Sequence, residues 1–197
     1  MTKKGIFCLE GLWEDDLKKP STIQPLLAFL KQNTEIPYIY RDCATAHELN
    51  FYLSKFTQER YKDYPILYLA FHGEPGQLSI SRKENYLILD FGEFLDGKCK
   101  GKIILLGSCS VLDMDKRFLK RFLNDSGALA VMGYTNSVDW MRSSAFEMLL
   151  LLVLQENVFN GHGIKSITEK CSQLARSFKN KDKEKDIQFR MVSTVDL

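Results

Sequence analysis

Cys109 and His72 are the two residues whose types and placement could do chemistry together. His72 follows the apolar run Pro65-Ile66-Leu67-Tyr68-Leu69-Ala70-Phe71 and precedes Gly73. Cys109 follows Lys102-Ile103-Ile104-Leu105-Leu106 and then Gly107-Ser108. A thiol becomes a strong nucleophile once a base takes its proton, and imidazole is the side chain whose ordinary pKa suits that task near neutrality. A thiolate–imidazolium pair attacks carbonyl carbon, so the chemistry implied is acyl transfer, most simply peptide hydrolysis. Gly73 lets a substrate backbone approach closely. The backbone N–H groups of Gly73 and Cys109 are the expected oxyanion donors. Either residue alone also reads as ordinary structure, because a lone cysteine is a common core residue.

The pairing needs two adjacent strands that end at the same edge. Short continuous apolar runs read as buried parallel strands, and ligands of open α/β sheets bind at the carboxyl ends of such strands. Gly5–Leu9, Pro37–Tyr40, Pro65–Phe71, Lys102–Leu106 and Ala128–Met132 read as five strands, with Phe189–Val195 as a last one. Helices are expected from Ser21 to Lys31, Thr45 to Phe56, Asp90 to Leu95, Asp113 to Leu123, Ser143 to Asn157 and Ile164 to Phe178. Phe118, Leu119, Phe122 and Leu123 form the expected core stripe of the fourth helix. Gln77–Ser81 and Tyr86–Leu89 alternate as a hairpin inserted after the third strand. Strands alternating with helices predict a mostly parallel sheet covered on both faces.

The 197 residues fit one domain, 1–197, with 45% apolar and 26% charged content. A net charge of +2 gives no electrostatic footprint for nucleic acid. The Met148–Leu154 run, bounded by Glu147 and Gln155-Glu156, is too short to span a bilayer and reads as a core helix. No secretory signal is evident after Met-Thr-Lys-Lys. The five cysteines, Cys8, Cys43, Cys99, Cys109 and Cys171, are odd in number and form no CxxC. A reducing, cytoplasmic setting without disulfides follows, as do the absence of a metal site and of any cofactor. No P-loop and no GxGxxG follows a strand, which counts against the alternative of a flavodoxin-like nucleotide- or flavin-binding domain.

An apolar strand ending in His-Gly, then an apolar strand ending in small-Cys, resembles the caspase-like superfamily of cysteine peptidases. Gly127-Ala128-Leu129-Ala130-Val131-Met132-Gly133 is similar to the Gly-Ala-x-Ala-Val strand of its CHAT-domain proteases. The likeness runs from about Ile66 to Phe178. Asn136 stands where that group often has tryptophan, Asp139 follows Val138 directly, and Gly-Ser-Cys replaces the caspase Gln-Ala-Cys. The resemblance implies a three-layer α/β sandwich, a His72–Cys109 dyad and a protein or peptide substrate. It also implies a specificity pocket built by the loops after strands one and five. Those loops carry Glu10, Glu14, Asp15 and Asp16, and then Asp139, so a basic P1 residue is expected, with Asp139 as the leading pocket acid. Asp139 reads equally well as a helix N-cap. A catalytically inactive interaction module of the same fold is the other reading. A regulatory protein partner is expected to restrain a free-standing protease, with the strand-one loop or the hairpin covering the site.

Overall fold

Four stretches bury every one of their residues, so both of their faces must be covered. They are β1 (Ile6–Glu10), β3 (Ile66–Ala70), β7 (Ile103–Leu106) and β8 (Ala130–Tyr134). The computed structural model describes residues 2–14, 16–19, 21–182 and 186–196. With β2 (Tyr38–Asp42) and β9 (Phe189–Ser193) these strands form one six-stranded sheet in the order β2-β1-β3-β7-β8-β9. All pairs are parallel except β8–β9, which is antiparallel. The parallel part shares the flavodoxin-like order, and the antiparallel β9 sets it apart.

Side chains alternate between two apolar layers. Leu67 and Leu69 of β3 face α2 (Ala46–Phe56), α3 (Ile88–Leu95) and α4 (Lys116–Ser126), against Leu53, Phe91 and Phe122. Ile66, Tyr68 and Ala70 face α1 (Gln24–Thr34), α5 (Trp140–Val153) and α6 (Gly163–Ser177), against Leu27, Phe146 and Ile167. No helix among the described residues is long and apolar enough to cross a membrane.

Several boundaries differ from the expectation. Helix α1 starts at Gln24 with Ile23 as its N-cap, not at Ser21. Asp90 lies inside the first turn of α3, which begins at Ile88. Helix α4 begins at Lys116 under an Asp115 cap, because residues 110–112 strap onto the β8 end through Ser110 N to Asn136 O at 3.0 Å and Leu112 N to Tyr134 O at 2.9 Å. That start leaves Phe118 on the exposed face. Helix α5 begins at Trp140, three residues early.

The inserted hairpin is more than a hairpin. Strands β5 (Gln77–Ser81) and β6 (Glu84–Leu87) pair with each other, and β5 also pairs with β4 (His72–Glu74). His72 stands opposite Ser79 and Gly73 opposite Leu78. Leu78 and Ile80 are fully buried in the layer of α2 and α3. A segment anchored this way holds His72 in place, which argues against a detachable cover. Replacing Leu78 by Ala should cost about 2–5 kcal/mol in urea unfolding. A change within about 0.5 kcal/mol would show that the insert is packed too loosely to position His72.

Candidate active site

The parallel pairing of β3 with β7 runs from Ile66↔Ile103 to Leu69↔Leu106, so the two strands end side by side. Gly107 N then donates to Leu69 O at 2.8 Å, carrying the contact one residue past the ladder. Gly73 lies directly on the Ser108–Cys109 backbone. A Cβ there would come within 2.8 Å of Cys109 O, 2.9 Å of Ser108 Cβ and 2.3 Å of Val111 Cγ2. Only glycine allows that approach. His72 and Cys109 open onto one cavity of about 180 Å³. Its other walls are Trp13 and Ile23, Tyr68 and Gly107, Val138 and Trp140, and Ser143, Ser144 and Glu147 of α5.

His72 Nε2 lies 2.8 Å from the Trp13 carbonyl oxygen. A carbonyl only accepts, so Nε2 carries the proton, and the neutral ring keeps Nδ1 as its acceptor. The imidazole is thereby held in the tautomer that can take a proton at Nδ1. The Trp13 ring meets His72 edge-on at 5.1 Å and Trp140 at 4.6 Å between centroids.

Glu10 holds this loop rather than facing the cavity. Its carboxylate is buried and accepts from Trp13 Nε1, from Thr22 Oγ1 at 2.6 Å, from Ile23 N at 2.7 Å and from the Tyr40 hydroxyl, which it shares with Asp42. Burial, then hydrogen bonds to Asp42 and Glu10, push the Tyr40 hydroxyl well above its usual pKa, so it remains a donor. Asp16 is exposed and accepts from Lys18 N at 3.1 Å. Asp15 lies outside the described residues. Asp139 is the N-cap of α5, accepting from Arg142 N at 2.9 Å, and it is exposed beside the cavity rather than lining it.

Cys109 sits in a tight turn after β7, and the next residue, Ser110, is forced to φ +56°. A non-glycine residue in the left-handed region at a strand end is the kind of constraint that functional turns carry. The Cys109 sulfur is 3.5 Å from Val138 N and 3.9 Å from Val138 O. No acceptor takes the Cys109 N–H among the described residues. Cys109 is half-buried, whereas Cys8, Cys43, Cys99 and Cys171 are buried. Burial pushes the thiols of Cys43, Cys99 and Cys171 up to about 12 and raises that of Cys8. Asn136 turns away from the cavity, donating from Nδ2 to Asp186 O at 2.9 Å.

Two residues of the site escaped the sequence. Trp13 acts through a backbone oxygen, which no side-chain pattern reveals. Glu147 closes the cavity floor at 3% exposure, bonded by the Tyr68 hydroxyl and by the Tyr134 hydroxyl at 2.8 Å. Its signal was a lone carboxylate at helical spacing with Ser143, Phe146, Leu150 and Leu151, the buried stripe of α5. Burial raises its pKa to about 7, against the opposing pull of the two tyrosine hydroxyls.

The six-stranded sheet with its antiparallel edge strand and helices on both faces is a caspase-like α/β fold. A solved structure, caspase-1 from Spodoptera frugiperda, superimposes with a TM-score of 0.62 at 13% identity, covering 98% of this chain and 87% of that one. The chain belongs to the family of unknown function DUF6642, whose model matches residues 3–193. No curated protein matches the sequence.

Two outcomes follow. Gly73→Ala should wedge β4 off the Cys109 turn and slow alkylation of Cys109 by about tenfold or more, measured by mass spectrometry. An unchanged rate would show that the close approach does not matter. Glu147 binds its proton more tightly folded (about 7) than unfolded (4.5). Its contribution to stability is therefore present at low pH and is lost as pH rises through about 7, an effect on the order of 3 kcal/mol. Urea unfolding of wild type against Glu147→Gln should show the wild type losing ground across that window. Parallel pH curves would contradict the burial account.

Proposed function

We propose that the chain is a cysteine endopeptidase in which His72 Nδ1 takes the Cys109 proton and the thiolate attacks a peptide carbonyl. The Gly73 and Cys109 amides stabilise the oxyanion, and the imidazolium returns its proton to the leaving amine. Water then attacks the thioester, with His72 again as base, and releases the acid. The observation that carries this reading is the Trp13 carbonyl on His72 Nε2, which leaves the base nitrogen free in a cavity shared with the thiol. Within the caspase-like proteins we place it nearest the CHAT-domain proteases, on the Gly127–Gly133 strand and the order of elements after it. One caspase-like unit over 1–197, a cytoplasmic setting, a protein or peptide substrate, a regulatory partner and a basic P1 preference complete the reading.

One observation favours the inactive-module alternative: the Cys109 sulfur is engaged by the Val138 backbone. A positional peptide library separates the two. The peptidase reading expects cleavage after Arg or Lys that falls by about 10³-fold or more in Cys109→Ala. Cleavage dominated by acidic P1 residues would sink the specificity, and equal turnover by Cys109→Ala would sink the chemistry.

A further inference from the structure

We propose that Glu147 is the residue that reads the substrate side chain, binding a lysine- or arginine-type cation in the cavity between Trp13 and Trp140. The inference rests on the peptidase reading only in assigning that cation to a P1 residue. Occupancy of the cavity by a cation can be measured without it.

Glu147 is the one carboxylate among the residues that line this cavity. Both of its oxygens are fixed, each by one tyrosine hydroxyl, Tyr68 from β3 and Tyr134 from β8. A carboxylate offers about four acceptor positions, so about two remain. Both partners are neutral, and among the described residues no lysine or arginine pairs with it. Arg142, one turn away on the same helix, donates instead to Phe178 O at 2.6 Å and lies over the Phe178 ring. A buried carboxylate without a counter-charge is costly, and a cation entering from outside supplies what the fold omits.

The walls suit such a guest. The Trp13 and Trp140 indoles can pack along an alkyl stem, and a cation over an indole face adds further attraction. Gly107 contributes no side chain; a Cβ there would come within 2.6 Å of the Tyr68 ring and 3.0 Å of Glu147 Oε1. The cavity of about 180 Å³ exceeds the roughly 150 Å³ that holds a benzene in an engineered core. Asp139, spent on capping α5, is the weaker alternative.

The titratable groups facing Glu147 are Tyr68, Tyr134, Cys8 of β1, Cys109 and, across the cavity, His72. Residues 143–151 of its own helix carry no other charge. Burial favours the neutral acid, so a bound cation must draw the proton off. Affinity for a cation therefore rises with pH through neutrality.

The test uses N-acetyl-lysinamide and its uncharged analogue N-acetyl-norleucinamide. Binding is read from the fluorescence of Trp13 and Trp140, the two tryptophans of the chain. Wild type should bind the lysine probe about tenfold or more tighter than the norleucine probe. Glu147→Gln should remove that preference. Raising pH from about 6 to about 8 should tighten the lysine probe in wild type and not in the variant. The pH series on wild type decides the matter alone if the variant does not fold. Equal binding of the two probes, absence of binding, or a lysine preference that survives in Glu147→Gln would overturn the proposal. Lysine binding without cleavage of any peptide would instead remove the peptidase reading and leave this one standing.

Discussion

Everything at the site depends on the parallel pairing of β3 with β7. The pairing places the ends of two apolar strands one hydrogen-bond spacing apart, and His72 and Cys109 follow those ends within three residues. A slip of one residue would turn every side chain to the opposite face. The slip is opposed by the two apolar layers, since Leu67 and Leu69 must enter one and Ile66, Tyr68 and Ala70 the other. The geometry of the thiol and the imidazole is thus set by core burial far from either. Gly73 is where that constraint becomes visible, because the register leaves no room for a Cβ.

The second level of support comes from β1. Glu10 ends a fully buried strand, and its carboxylate gathers four donors from β2, the loop after β1 and the two residues ahead of α1. One donor is the Trp13 indole, and the Trp13 carbonyl in turn fixes His72 Nε2. A buried acid thereby orients the His72 imidazole through one intervening residue. Trp13 also walls the cavity, so the loop that orients the imidazole is the loop that shapes the cavity.

Much of the fold was legible because continuous apolar runs leave few alternatives to buried parallel strands, and the five parallel strands fall where those runs do. Helix α2 falls within the expected Thr45–Phe56 stretch, where the structure adds a capping box of Thr45 and Glu48. Boundaries failed where a tertiary strap overrode local pattern, as at residues 110–112, which run along β8 before α4 can begin. His72 and Cys109 were visible as residue types at strand ends. The acids were harder, because a carboxylate's role depends on partners distant in sequence. Glu10 reads as a loop acid until Thr22 and Tyr40 close on it, and of the two readings of Asp139, pocket acid or helix N-cap, the start of α5 at Trp140 selects the cap. Glu147 was hidden because it borders an apolar run and reads as that run's polar limit, while the fold turns it inward between two tyrosines.

The central claim is that His72 activates Cys109. The most direct measurement is the rate of iodoacetamide alkylation at Cys109, at neutral pH, in wild type and His72→Ala, with mass spectrometry locating the label. The account predicts label confined to Cys109, since the other four thiols are buried. It also predicts a rate about tenfold or more faster in wild type than in His72→Ala. Equal rates in the two proteins would contradict it.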